Sequence, residues 1–138
     1  MGSPKSDDQP GVWLQDLDAY PEEQYEFTTY DGYRYELKRM PGWNWNGYVY
    51  LPSTHPYFTK EYSEIEHEFH VHGDLTYGKG DGCFGFDCCH FGTDVVPGDL
   101  YSGISFPKTD CRTKRYWTFD MVKRETESLL EQFRNKSN

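Results

Sequence analysis

Titratable side chains that could carry out metal or acid–base chemistry are concentrated between residues 65 and 94 of this sequence. The stretch holds four of the five histidines, together with several aspartates and glutamates. Ionisable groups are costly to bury unless a partner compensates them. A metal ion, a ligand or solvent would each satisfy them, so this stretch is the first candidate for a functional site.

His70 and His72 are two residues apart in a segment whose apolar and polar residues alternate as in a strand. One face of this predicted strand would carry Ile65, His67, Phe69 and Val71. The two histidines would share the opposite face with Glu66 and Glu68, a set that suits metal ligation or acid–base catalysis. A solvated polar face of an antiparallel sheet explains the same pattern.

Asp87 and His90 are three residues apart, and Asp94 follows them. A strand end here would direct a carboxylate and an imidazole toward one point, as hydrolytic metal centres require. Turns in which Asp accepts backbone N–H bonds explain Asp87 and Asp94 equally well. His55 lies in the loop after Pro52 and is either a further ligand or a surface residue.

The four cysteines do not indicate a metal knuckle or a disulfide framework. They are Cys83, Cys88, Cys89 and Cys111, and no two of them have CxxC spacing. We interpret them as reduced packing thiols. A thiol nucleophile beside His90 is the alternative, but nothing in the sequence is expected to lower the pKa of a neighbouring cysteine.

The composition predicts one acidic domain that does not bind duplex nucleic acid. The chain has 138 residues and a net charge of −9, whereas a duplex ligand calls for a basic patch. Its 12 tyrosines favour a sheet over a helix bundle. No segment resembles a membrane span or a signal peptide, so we expect a cytosolic protein.

The N-terminus is expected to lie outside the folded domain. Residues 1–10 show no apolar periodicity and are predicted to form a disordered tail, leaving 11–138 as a single domain. Gly2 and Ser6 fit a loose N-myristoylation pattern. A cloning remnant is the alternative explanation of these first residues.

Alternating runs at 25–29 and 33–37 predict a β-hairpin. A three-residue loop with Gly32 in the left-handed region pairs Phe27 with Tyr35 and places the apolar side chains on one face. A two-residue loop would mix apolar and charged groups, so we predict the longer one.

Further strands are predicted at 48–51, ended by Pro52, and at 65–71 and 83–88, with an irregular surface segment at 95–113. Thr118 is a suitable N-cap for a closing amphipathic helix. Its apolar positions recur at helical spacing and are Phe119, Val122, Thr126, Leu129 and Phe133. The fold class predicted is therefore α+β, a mostly antiparallel sheet with a C-terminal helix packed on it.

Three motifs occur together in this chain. They are a strand ending in Pro52 with His55-Pro56, Val-His-Gly-Asp-Leu-Thr-Tyr at 71–77, and Gly-Phe-Asp-Cys-Cys-His at 85–90. This combination resembles a family of small proteins encoded by tailed phages and other DNA viruses. The family pattern has Val-His-Gly-Gly-Leu-Thr-Tyr and Gly-Phe-Asp-Cys-Ala-His followed by an acid. The resemblance covers roughly residues 43–133.

The resemblance implies a viral protein of the host cytoplasm, and no particular reaction. Its motifs select a set of positions in this chain, namely His55, His72, Asp87, His90 and Asp94. This sequence departs from the pattern at three places, with Asp74 for the second Gly, Cys89 for Ala and the longer 91–93 before the acid.

Two functions follow from these residues. The first is a metal-assisted hydrolase of a phosphoester or nucleotide, with Zn, Mn or Fe as the divalent ion. Its metal ligands would be His55, His72, Asp87 and His90. The catalytic residues would be His72, Asp87, His90 and Asp94, with Asp94 orienting water or an imidazole.

The second function is a non-catalytic binding module for a nucleotide-like signal or a host protein. Trp43, Trp45 and the tyrosines would grip the ligand. Core packing is the alternative role for the two tryptophans. The sequence leaves the oligomeric state open.

Overall fold

The predicted α+β class is confirmed. A computed structural model describes residues 10–41, 43–88 and 116–137, with side chains from Trp13 onward. The α-helices are α1 (Pro10–Ala19), α2 (Tyr62–Ile65) and α3 (Phe119–Arg134), and a 3-10 helix spans Glu66–Glu68. The strands are β1 (Gln24–Thr28), β2 (Arg34–Arg39), β3 (Trp45–Tyr50), β4 (Tyr77–Gly78) and β5 (Cys83–Asp87).

The five strands form one antiparallel sheet in the order β1-β2-β3-β5-β4. The predicted hairpin has the predicted register, since Phe27 faces Tyr35 and Tyr25 faces Leu37. Gly32 takes the left-handed conformation, with φ of 91°. The loop therefore has three residues because only that parity places the apolar side chains of both strands on one face.

The C-terminal helix α3 covers one face of the sheet, and the core lies between them. Thr118 caps the helix by accepting a hydrogen bond from the Met121 backbone N–H at 3.3 Å. The five predicted apolar positions are all buried. Thr126 packs against Gly47 of β3, where the missing side chain lets the helix approach closely. The sequence prediction for this helix is confirmed.

Helix α1 was not predicted, and Asp16 anchors it. The Asp16 carboxylate accepts hydrogen bonds from Trp45 Nε1 at 2.8 Å and from the Tyr116 hydroxyl at 2.6 Å. It also accepts from the Phe119 backbone N–H at 3.1 Å. Because this N–H belongs to the first turn of α3, the carboxylate also interacts favourably with the helix dipole.

The predicted strand at 65–71 is wrong. Residues 62–68 form α2 and the 3-10 helix, which begin at a capping box between Glu61 and Glu64. Ile65 and Phe69 are both buried, a spacing of four that one helical turn satisfies as well as a strand does. His67 is exposed rather than part of a core face.

Two other predictions lie outside the described residues. They are the irregular segment at 95–113 and the disordered tail, of which only Pro10 is described, as the first residue of α1. Within the described ranges, no helix is long and apolar enough to cross a membrane.

Asp74 stands where the backbone favours glycine. Residues 71–74 form a turn closed by the Asp74 N–H on the Val71 carbonyl at 2.9 Å. Gly73 and Asp74 both have φ of 67°. This is the position at which the family pattern has its second glycine, so the departure from the pattern has a backbone cost.

We expect Asp74→Gly to raise the free energy of unfolding by about 0.5–1 kcal/mol. The left-handed region costs a residue with a Cβ about 1–2 kcal/mol, which exceeds the roughly 0.5–1 kcal/mol that glycine loses through its freedom in the unfolded chain. Urea unfolding measures the change. The control Thr54→Gly, at an exposed residue without positive φ, should lose stability, and a loss in both variants would contradict the prediction.

Asp31 ties the tip of the first hairpin to the end of α3. Its carboxylate accepts hydrogen bonds from Arg134 Nε at 2.7 Å and Nη2 at 2.9 Å. These bonds to Arg134, followed by one from Thr29, lower the pKa of Asp31 to about 2. A carboxyl group whose pKa is lowered in the folded state stabilises the fold at pH values above its ordinary pKa. This contribution is lost as the pH falls through the folded-state pKa.

We therefore expect a pH-dependent stability that disappears in Asp31→Asn. Between pH 4 and pH 2 the native protein should lose more stability than this variant, because only the native chain has the Asp31 carboxylate to protonate, while the other bonded carboxylates are the same in both. Urea unfolding at both pH values measures the difference, with the exposed Asp18→Asn as control. Equal losses in all three proteins would contradict the prediction.

Candidate functional site

His55 is a packing residue in this structure. It is buried, and its Nδ1 accepts a hydrogen bond from the Tyr57 backbone N–H at 2.9 Å. Its Nε2 lies 2.7 Å from the Phe133 carbonyl oxygen and must therefore carry the proton that it donates. Both ring nitrogens are used, so His55 does not fit the predicted set of metal ligands unless one of these bonds breaks.

The structure describes only part of the predicted His/Asp set. The His72 ring packs on the ring of Trp117, with 4.0 Å between ring centroids. Trp117 lies in the segment that leads into α3. Asp87 ends β5 and faces Asn46 across the β3–β5 pair. His90 and Asp94 lie outside the described residues. Within the described ranges, no three His, Cys, Asp or Glu side chains are grouped to hold a metal ion.

Glu68 and the backbone of His70 make contacts that support the fold. The His70 backbone exchanges two hydrogen bonds with the Gln132 side chain, both of 2.8 Å. Glu68 accepts hydrogen bonds from the Tyr57 hydroxyl at 2.6 Å and Lys136 Nζ at 3.0 Å, and these lower its pKa. This part of the chain therefore joins the 3-10 helix to the end of α3.

The described cysteines, Cys83 and Cys88, are both buried. Burial raises the pKa of the Cys83 thiol to about 11, which leaves little thiolate at neutral pH. Cys88 packs in the core, while Cys89 and Cys111 lie outside the described residues. The burial of Cys83 and Cys88 agrees with the packing role that we predicted for them, and their reduced state stays a prediction.

The sheet face turned away from α3, which we call the polar face, carries the most unusual group of side chains. Strand alternation places there Arg34, Glu36, Lys38, Asn46, Tyr48, Tyr50, Tyr77, Cys83, Gly85 and Asp87. Helix α3 packs on β2 and β3 from the other face, and α2 contacts β4. The three tyrosines are partly exposed.

Tyr48 lies across the backbone of β5 at the centre of the polar face. A Cβ on Gly85 would be only 2.5 Å from Tyr48 Cδ1 and 2.7 Å from Cε1, so the ring occupies the space of the missing side chain. The Tyr77 ring stands at 87° to the Tyr48 ring, with 5.8 Å between centroids. Lys38 Nζ is 5.5 Å from the Tyr48 centroid. Together they frame one aromatic surface.

Glu36 is a buried carboxylate beside this aromatic surface. Its exposure is 1%, and within the described ranges Asp16 is the other buried acid. Glu36 accepts hydrogen bonds from the Tyr50 hydroxyl at 2.5 Å and from Gln24, while Lys38 Nζ lies 3.8 Å away. Burial, followed by the bond to Glu36, raises the Tyr50 pKa, so Tyr50 stays a neutral donor.

The two tryptophans proposed as ligand contacts have different positions. Trp45 is fully buried and donates to Asp16, so it is a core residue. Trp43 is 37% exposed at the β2–β3 turn, with φ of 69°, and its ring lies 5.3 Å from that of Trp13. Neither belongs to the polar face.

Sequence reasoning named the tyrosines only as a class and missed the polar face. The available signal was the alternation of β2 and β3, which places 34, 36 and 38 beside 46, 48 and 50. A glycine inside a strand, as at Gly85, often marks a close approach of another group. The chain matches none of the family models, curated proteins or solved structures with which it was compared.

Proposed function

We propose that this chain is a binding module for a nucleotide-like small molecule, whose planar base stacks on Tyr48 at the polar face. The observation that carries the proposal is the placement of this ring across Gly85. A tyrosine ring packed against a strand is a preorganised stacking surface, and base–aromatic stacking is worth about 1–3 kcal/mol per base.

The charges around Tyr48 support a ligand with few negative charges. Lys38 lies near this ring, and Lys79 Nζ is 5.3 Å from the Tyr77 centroid. Glu36 and Asp87 lie on the same face, which leaves the local charge close to balance. A mononucleotide can use one lysine for its phosphate, whereas a long polyanion would meet the repulsion of a chain with net charge −9.

Titration calorimetry with AMP, GMP, CMP and UMP tests the proposal. At least one nucleotide should bind with a Kd below about 1 mM, a binding free energy of roughly −4 kcal/mol. Chromatography of the recovered ligand should show it unchanged. Absence of binding by all four at millimolar concentration would overturn the proposal.

Metal-assisted hydrolysis is the second candidate, and the position of Asp87 favours it. This carboxylate belongs to the polar face, and its strand partner Asn46 donates a hydrogen bond to the Tyr48 hydroxyl at 3.1 Å. A ligand on Tyr48 would therefore lie near a carboxylate of the predicted set. A divalent ion there would polarise a phosphate and activate water.

Elemental analysis and product analysis test this second candidate. Protein purified without chelator should hold near-stoichiometric Zn, Mn or Fe, and a nucleotide incubated with it should be converted. Less than about a tenth of an equivalent of metal, with no rise in Tm on adding metal, would contradict hydrolysis, because a ligand that binds only the folded state stabilises it.

A further inference from the structure

We infer that the polar face holds a single base, so that its ligand is a mononucleotide rather than a dinucleotide or a single strand. This inference rests on the proposed function and specifies its ligand class. It depends on a difference between two rings among the described residues: a cation covers Tyr50 closely, whereas the cation over Tyr48 lies farther away.

Two tyrosines on one strand face would ordinarily make a platform for two bases. Tyr48 and Tyr50 are two residues apart on β3, which separates their Cα atoms by about 6.7 Å. Sheets that recognise single-stranded RNA stack two or three bases on such aromatic rows. An open pair here would therefore accept two linked nucleotides.

Arg34 closes one of these two rings. Its guanidinium carbon lies 3.6 Å from the Tyr50 ring centroid, nearly the distance of about 3.4 Å at which a stacked base would lie. Glu26 accepts a hydrogen bond of 2.5 Å from Arg34 Nη1 and helps to hold it there. The guanidinium thus occupies the place that a second base would need.

The cation over Tyr48 lies farther from its ring than the guanidinium over Tyr50 does. Lys38 Nζ is 5.5 Å from its ring centroid, beyond the stacking distance and on a flexible side chain that can move to a phosphate. Tyr77 stands perpendicular to the ring and limits the surface on one side. A base stacked on Tyr48 would meet the Tyr77 ring edge to face, an arrangement that aromatic pairs favour.

Calorimetry with UMP, AMP, the dinucleotides UpU and ApA, and the decamer U10 tests the inference. The mononucleotides and dinucleotides should bind with Kd values within about threefold of each other. A dinucleotide or U10 that binds more than tenfold tighter overturns the single-base slot and leaves the proposed function standing. Absence of binding by every probe overturns the proposed function itself.

The variant Arg34→Ala gives the sharper readout. Removing the guanidinium uncovers Tyr50, so UpU and ApA should gain at least fivefold in affinity while the mononucleotides change by less than twofold. The matched control Arg124→Ala removes an exposed arginine from α3, on the other side of the sheet, and should change neither. Equal dinucleotide affinity in Arg34→Ala and the native protein would overturn the inference.

Discussion

Replacing Gly47 by alanine should destabilise the protein by about 2–3 kcal/mol, the upper part of the range for overpacked cores. A Cβ at Gly47 would overlap Thr126 Oγ1 and would lie 2.7 Å from Phe86 Cε1. Thr126 and Phe86 are 0% and 1% exposed, so neither side chain has free volume to move into. The helix α3 would have to shift away from β3, and urea unfolding measures the cost.

Gly85→Ala is the matched control, because Gly85 lies on the neighbouring strand but on the polar face. There the two nearest obstructing atoms belong to the partly exposed ring of Tyr48, which can swing outward, and the third is the Gly47 carbonyl oxygen at 3.0 Å. We expect a loss of about 1 kcal/mol or less in this variant. Losses of equal size at the two glycines would contradict the packing of α3 through Gly47, as would full stability of Gly47→Ala.

A second substitution distinguishes the clash of the new Cβ with Thr126 from its clash with Phe86. Thr126→Ala removes the hydroxyl that a new Cβ would overlap, so the double variant should recover part of the loss. Residues in contact show such non-additive effects, of about 0.5–3 kcal/mol. Strict additivity would indicate that Thr126 does not contact this position.

Tyr48→Ala should weaken nucleotide binding by about 5-fold to 150-fold, the equivalent of about 1–3 kcal/mol for removal of one base-stacking ring. Tyr48→Phe keeps the ring and loses only the hydroxyl that accepts from Asn46, so its affinity should stay within about threefold of the native value. Calorimetry against the nucleotide that binds best measures both. Comparing the two variants distinguishes the contribution of the Tyr48 ring to the affinity from that of its hydroxyl.

One control and one further test accompany the Tyr48 variants. Tyr30→Ala removes a tyrosine that is 100% exposed at the β1–β2 turn, outside the polar face, and should bind as the native protein does. Gly85→Ala should lose affinity even though Tyr48 is intact, since the new methyl group displaces the ring. Native affinity in both Tyr48→Ala and Gly85→Ala would exclude stacking at this position.

The parts of the fold that the sequence predicts correctly are those that depend on the pattern of residues close together in the chain. Gly32 and the parity of the runs 25–29 and 33–37 determine the first hairpin, and Thr118 with its helical spacing determines α3. The segment at 65–71 was mispredicted because Ile65 and Phe69 satisfy a strand and a helical turn equally. Periodicity alone does not separate such short segments.

The polar face depends on pairings that are distant in the sequence. Glu36 lies beside Tyr48 through the β2–β3 pair, and Gly85 joins them only because β5 pairs with β3 while β4 takes the sheet edge. No local motif encodes that order. The histidine set was predicted from spacing, and burial of His55 between two backbone groups could not be read from its position after a proline.

Chemical-shift mapping of the amide and tyrosine resonances, with AMP or the nucleotide that binds best added to millimolar concentration, tests the central claim most directly. The account predicts that the largest shifts occur at Tyr48, Tyr77, Gly85 and Lys38, with α3 almost unchanged. Shifts confined to α3 or to the contact of His72 with Trp117, or spectra that do not change at all, would contradict it.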